Sequence, residues 1–185
     1  TVGGKELREH FEAINHRNAI FYVEDIIRKE EPFSEWQIRN IHQLILKNID
    51  DDNAGRYRQQ NVLISGATTM PPDYTLLNDK MAQLVDWYNS ESHTLHPIER
   101  AAKVHADFVG IHPFIDGNGR TSRLLMNLEL LKAGYPPCVI TVENRLAYYE
   151  ALDQWMAYGK TEAFIKLVSN AVIEGFKPSQ VVLGL

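Results

Sequence analysis

The chain has 185 residues, of which 44% are hydrophobic and 23% charged, and its formal net charge is −5. This length and composition predict one globular domain with a sizeable core. The mildly acidic balance does not fit a nucleic-acid-binding surface, so we expect no nucleic-acid partner. The only cysteine, Cys138, excludes an internal disulfide framework.

The chain carries no apolar run of membrane-spanning length and no signal-peptide pattern at its beginning. We therefore expect a cytoplasmic location. Because the first residue is Thr1 rather than Met, we also expect that an upstream regulatory segment is missing from this chain.

Apolar residues at helical spacing predict helices over most of the chain. A capping box at residues 34–37 and Pro97 in the favoured first position mark the beginnings of two helices, and Gly134 marks the end of another. The predicted helices cover about residues 7–29, 34–50, 73–90, 97–110, 120–133, 145–158 and 161–173. The fold class predicted for residues 1–185 is a single all-α domain.

One segment departs from the helical pattern. Residues 61–70 contain short β-prone runs around Gly66 and precede Pro71 and Pro72, which predicts a β-hairpin. A lone hairpin is marginally stable, so this one should lean on the helices. A purely structural hairpin remains an alternative to a functional one.

Residues 112–123 combine a glycine-bearing loop with the beginning of a helix. Free backbone N–H groups at a helix N-terminus attract anions, and glycines let the backbone approach a phosphate closely. Arg120 and Arg123 lie three residues apart and can reach one polyphosphate. Asp116 suits a Mg²⁺ ion shared with phosphates, and His112 suits general-base work near neutral pH. The ordered set predicts phosphoryl or nucleotidyl transfer, although each feature alone would be unremarkable.

This stretch resembles the Fic family signature, His-x-Phe-x-(Asp/Glu)-Gly-Asn-Gly-Arg-x-x-Arg. Its fixed positions are matched by His112, Phe114, Asp116, Gly117, Asn118, Gly119, Arg120 and Arg123. The resemblance covers essentially the whole chain and is greatest to the branch of animal Fic adenylyltransferases and their bacterial relatives. The Doc branch, whose members phosphorylate their targets, alters the loop glycines and the following arginine. The intact loop therefore favours nucleotidyl transfer.

The resemblance implies transfer of AMP from Mg·ATP to a Ser, Thr or Tyr hydroxyl of a target protein. It implies His112 as the base, with Asn118 and Arg123 as further catalytic residues. Asp116 is expected to hold Mg²⁺. The nucleotide is expected to contact Gly117, Asn118, Gly119, Arg120, Arg123 and Tyr149, although Tyr149 could equally be a plain core tyrosine.

The resemblance also implies that residues 61–70 form a flap over the active site. Such a flap would hold the target in extended form through Val62, Leu63, Ile64 and Ser65, since an exposed strand edge offers backbone hydrogen bonds without demanding a sequence. Fic domains often dimerise, so a homodimer is possible.

Three alternatives stay open at this stage. A glutamate from an upstream segment could turn the same site to removal of AMP. Residues 154–157 differ from the family's usual purine contact, which leaves room for transfer of UMP or phosphocholine. A non-catalytic binding module is disfavoured by the complete motif. The inhibitory motif (Ser/Thr)-x-x-x-Glu-(Gly/Asn) is absent from the sequence, and Glu174-Gly175 is interpreted as a coincidence.

Overall fold

A computed structural model describes the backbone of residues 2–183 and the side chains of residues 7–177. Over this part of the chain the fold consists of seven α-helices and two short 3₁₀ helices, Tyr74–Leu76 and Ser92–Thr94. The α-helices are α1 Val2–Arg28, α2 Glu35–Leu46, α3 Leu77–Ser90, α4 Pro97–Ile111, α5 Asn118–Lys132, α6 Arg145–Tyr158 and α7 Glu162–Leu183. The prediction of a mainly helical domain is confirmed, and no described helix is long and apolar enough to cross a membrane.

The helix ends follow the local sequence signals. The Ser34 side chain accepts a hydrogen bond from the Gln37 amide and so caps α2, as its capping box predicts. Helix α7 continues well beyond the predicted end near residue 173. It passes through Gly175, where an added Cβ would lie 3.0 Å from the Pro136 side chain. A glycine there lets the helix pack closely against the segment that follows α5.

Helices α4 and α5 form the central pair of the fold and have the most extensive mutual contact. One apolar cluster joins this pair to α1, α2 and α3, with Ile26, Ile41, Met81, Phe108 and Leu125 fully buried. A second cluster joins the other face of the pair to α6 and α7 through Ala102, Met126, Leu152, Phe164 and Val168. Each large apolar side chain contributes about 1.5–3 kcal/mol on burial. The α4–α5 connection, which is residues 112–117, is therefore held from both sides.

A buried carboxylate ties three helices together. Glu129 on α5 is fully buried and accepts hydrogen bonds from the Tyr88 hydroxyl at 2.5 Å and from Arg100 Nε at 2.7 Å. Both of its oxygens are thus partnered, as a buried charge requires. This contact fixes α3 and α4 against the centre of α5.

The hairpin predicted at residues 61–70 is corrected to a loop, since this segment contains no strand. Its one internal backbone hydrogen bond closes a turn, with the Ala67 amide donating to the Ile64 carbonyl at 3.1 Å. Gly66 has a φ of +80°, which a glycine adopts without strain. The β-prone residues find no ladder partner there, and an isolated two-stranded hairpin is too weak to form one unaided.

Candidate active site

The residue where α4 ends has an unusual backbone conformation. His112 has φ 50° and ψ 57°, in the left-handed region, and its amide donates to the Phe108 carbonyl at 3.0 Å. Its ring Nδ1 lies 3.3 Å from the Val109 carbonyl oxygen. Because a carbonyl can only accept, Nδ1 carries the proton and Nε2 keeps a free lone pair. Burial lowers the pKa of His112, so the ring is neutral at pH 7.

The loop after His112 is anchored by one aromatic side chain and one amide. Phe114 is fully buried and stacks on the His42 ring, with centroids 3.5 Å apart. The Asn118 side chain accepts from the Phe114 amide at 3.0 Å and donates to the Phe114 carbonyl at 2.8 Å. With only 2% of Asn118 exposed, its amide group holds the loop in shape, and its contact with a phosphate stays a prediction.

His42, on α2, contacts this loop through hydrogen bonds and ring stacking, a role that the sequence did not predict. Its Nδ1 accepts from the Gly55 amide at 2.9 Å, so its Nε2 carries the proton and donates to the Asp116 carbonyl at 2.8 Å. Burial lowers the pKa of His42 to about 4, which keeps it neutral. The one signal in the sequence is a polar residue on the apolar face that Ile38, Ile41 and Ile45 form.

The Asp116 carboxylate lies at the beginning of α5. One of its oxygens accepts from the Gly117 amide at 2.6 Å, and the other lies 2.9 Å from Arg8 and 3.4 Å from Arg120. Glu12 pairs with both arginines, so α1 contributes two charged residues that sequence reasoning missed. Asp116 keeps 48% of its side chain exposed.

The surroundings of Asp116 decide which kind of metal it could hold. Residues 7–177 contain no group of three His, Cys, Asp or Glu side chains placed to hold a metal ion. A lone exposed carboxylate instead fits Mg²⁺, which binds through one or two carboxylates together with substrate phosphates.

Three of the six expected nucleotide contacts, Gly119, Arg123 and Tyr149, meet at one cavity of about 440 Å³. It is lined by His112, Gly119, Arg123 and Tyr149, together with residues 64–67 of the flap. The volume lies within the range of small-molecule sites. The sequence-predicted Ile64 and Ser65 belong to this lining, whereas Val62, Leu63, Asp116, Gly117, Asn118 and Arg120 do not. Leu63 is instead 75% exposed to solvent.

Arg123 brings positive charge to this cavity. No carboxylate among the side chains of residues 7–177 lies within 4.0 Å of its guanidinium group. Arg120, three residues earlier, is in contrast paired with both Glu12 and Asp116. Tyr149 is 52% exposed, and the Arg145 guanidinium lies 5.7 Å from its ring centroid. The cavity therefore offers an aromatic face and a cation, which suit a nucleotide.

The flap is tied to α6 by one carboxylate. Both the amide and the hydroxyl of Thr68 donate to Asp153, each at 2.6 Å. These hydrogen bonds to the charged form lower the pKa of Asp153. The sequence did not predict this contact, because Thr68 and Asp153 stand 85 positions apart.

The chain is similar to known proteins in both sequence and fold. The model of the Fic/DOC family matches residues 32–130. Protein adenylyltransferase fic-1 of Caenorhabditis elegans is 40% identical over 172 residues, which are 91% of this chain and 33% of that protein. Protein adenylyltransferase Fic of Nematostella vectensis is 41% identical over 171 residues, 91% of this chain and 39% of that protein. The chain thus spans about a third of the length of these curated relatives.

A solved structure of part of Fic-1 from Caenorhabditis elegans has the same fold. It superposes with a TM-score of 0.86 at 34% identity and covers 96% of this chain and 52% of that one.

Proposed function

The chain belongs to the Fic/DOC family, and on that premise we propose that it transfers AMP from Mg·ATP to a hydroxyl group of a target protein. One observation carries the proposal: His112, Gly119, Arg123 and Tyr149 line a single cavity beneath flap residues 64–67. This cavity brings a base, a helix N-terminus, an aromatic face and a cation, which has no carboxylate partner among residues 7–177, to one place. The curated relatives at about 40% identity are named protein adenylyltransferases.

His112 acts as the general base. Its Nδ1–H is held by the Val109 carbonyl, which leaves Nε2 to accept the proton of the target hydroxyl. The hydroxyl oxygen then forms a bond to the α-phosphorus, and the bond from that phosphorus to the leaving pyrophosphate breaks. Because burial lowers the pKa of His112, its Nε2 is unprotonated at neutral pH and can accept this proton.

The beginning of α5 stabilises the phosphates. The backbone N–H group of Gly119 offers an anion a donor without an intervening side chain, and the helix N-terminus adds its partial positive charge. The Gly117 N–H donates to Asp116, so it would have to exchange that hydrogen bond to contact a phosphate. Arg120 and Arg123 hold the β- and γ-phosphates in line with the attack. Asn118 contributes by fixing the loop through Phe114.

Asp116 would hold the Mg²⁺ ion, because it offers an exposed carboxylate at the anion-binding end of α5. When bound there, Mg²⁺ neutralises charge on the phosphates and on the leaving pyrophosphate. Arg8 and Arg120 share the same carboxylate oxygen, so they must give way at least in part when the ion binds.

Two finer assignments complete the proposal. Tyr149 stacks on the adenine, since its exposed ring lines the cavity. Residues 62–65 present an extended backbone edge to the target, for which the exposed segment ahead of the Gly66 turn is suited. A cytoplasmic location and a homodimer stay predictions.

Within residues 7–177 no carboxylate lies within 4.0 Å of the Arg123 guanidinium group, so no carboxylate in this part of the chain competes there with the γ-phosphate of ATP. A glutamate supplied to Arg123 from another segment would instead turn the same site to removal of AMP, and release of AMP from a modified target would reveal that activity.

The test is an intact-mass measurement on the purified chain after incubation with Mg·ATP, with Mg·UTP and with CDP-choline. We expect a gain of one AMP unit with ATP and no gain in the His112→Ala variant. A gain with UTP or CDP-choline alone would instead assign a different donor.

A further inference from the structure

A buried arginine outside the motif contacts the backbone of the catalytic histidine. Arg58, in the segment between α2 and the flap, is only 3% exposed. Its Nε donates to the His112 carbonyl at 2.9 Å, and its own amide donates to the Pro113 carbonyl at 2.9 Å. It therefore fixes the two successive carbonyl groups that follow the left-handed Cα of His112.

The other end of the same guanidinium group holds the flap. One of its terminal nitrogens donates to the Gln60 carbonyl at 2.8 Å, and the other donates to the Pro72 carbonyl at 2.6 Å. Gln60 and Pro72 lie just before and just after the flap, residues 61–70. One planar side chain thus joins the two ends of the flap to each other and to His112.

The surroundings of Arg58 explain why an arginine is needed there. A buried charge is costly unless it is paired or fully hydrogen-bonded. Within residues 7–177 no carboxylate oxygen lies within 4.0 Å of this guanidinium group, so backbone carbonyls take its three principal hydrogen bonds. Only a rigid fork with five donors can serve three carbonyls in different directions, whereas a lysine ammonium is a compact point charge.

We propose that Arg58 is a positioning residue for the transfer reaction, which makes the flap and the His112 turn one mechanical unit. Docking of a target on the flap and alignment of the base are then coupled through a single side chain. This inference rests on the function proposed above. Burial lowers the pKa of His112, and the positive charge of Arg58 lowers it further.

The test compares Arg58→Lys with Arg56→Lys. Arg56 is exposed and lies two residues away, so it controls for the same change of side chain outside the contact. The first readout needs no activity: amide hydrogen exchange in residues 60–73 and 112–119. We expect Arg58→Lys to accelerate exchange in both segments together by about tenfold or more, and Arg56→Lys to leave both unchanged. Unchanged exchange in either segment would overturn the coupling.

The second readout is the split between catalysis and binding. For Arg58→Lys we expect the rate of AMP incorporation into lysate proteins at saturating Mg·ATP to fall at least about tenfold. The Kd of Mg·AMP-PNP should change by less than about threefold, because no atom of Arg58 lines the nucleotide cavity. Equal losses in rate and binding, or rates equal to those of Arg56→Lys, would contradict a positioning role.

Two further variants keep the proposal open to refutation. Should Arg58→Lys fail to fold, Arg58→Gln keeps an amide donor without a buried charge and is measured in the same way. In Arg58→Ala, added guanidinium ion should restore part of the lost rate, and no restoration would oppose the positioning role. If the wild type incorporates no AMP at all, the proposed function fails, and hydrogen exchange alone decides whether Arg58 couples the flap to His112.

Discussion

Substitution of Gly117 by alanine tests how closely α2 supports the anion-binding loop. Gly117 has φ +79°, and an added Cβ would lie 3.0 Å from His42 Nε2 and 3.1 Å from His42 Cδ2. The His42 ring is hydrogen-bonded at both nitrogens and stacked on Phe114, so it has little room to move. A left-handed alanine costs roughly 1 kcal/mol, and the overpacking adds about 1–3 kcal/mol. We expect a total loss of about 2–4 kcal/mol in the free energy of unfolding.

Gly134→Ala is the matched control for the backbone conformation. Gly134 has the same φ of +79°, but nothing lies within 4 Å of its added Cβ. It should therefore lose only about 1 kcal/mol. Urea denaturation of both variants, followed by far-UV circular dichroism, measures the difference. Equal losses in the two variants would show that His42 yields, and would refute its role as a rigid support for the loop.

Three further predictions follow from the titrating groups and the flap. The pKa of His112 is lowered by burial, so the transfer rate should persist as the pH falls through 6.5; a half-maximal rate at or above pH 6.5 in a pH profile would contradict this. His42 and His105 are buried neutral groups with pKa values lowered to about 4 and about 3. As the pH falls, both histidines become protonated in the unfolded chain before they do so in the folded chain. Their contribution to the free energy of unfolding is therefore fully present above pH 6.5 and is lost progressively below it. Between pH 7 and 5 each should cost roughly 2 kcal/mol of unfolding free energy, and His42→Gln should make denaturation measurably less dependent on pH. Asp153→Asn should weaken the hydrogen bonds to Thr68 and speed proteolysis within the flap. The melting temperature should change by no more than about 2 °C, since surface contacts contribute little to stability. Proteolysis at the wild-type rate would show that this contact does not hold the flap.

The sequence predicts the helices well because their signals are local. Periodic apolar residues and the cap at Ser34 depend on neighbours within one or two turns, and the structure confirms them. The hairpin at residues 61–70 was wrong because β-prone residues form strands only where a partner edge exists. The predicted end of α7 near residue 173 was too early, since the helix continues through Gly175, where the absence of a side chain lets it pack closely against Pro136.

In the candidate site, too, the residues with local sequence signals were predicted and those from distant positions were not. Residues 112–123 form one contiguous segment, so their types and spacing already indicate an anion-binding loop. The residues that support this loop come from distant positions, so short-range sequence patterns do not identify them as its partners. They are His42 from α2, Arg58 before the flap and Arg8 from α1. Asn118 shows a related limit, because the motif identifies the residue but only the fold reveals that its amide is used by Phe114.

The central claim is that His112 moves AMP, rather than a phosphate group, from ATP to a protein. The most direct measurement incubates the purified chain with proteins of a cell lysate and Mg·ATP labelled either at the α- or at the γ-phosphorus. We predict that protein becomes labelled from α-labelled ATP only, and that His112→Ala abolishes this label. Label from γ-labelled ATP that requires His112, or α-label that survives in His112→Ala, would contradict the account.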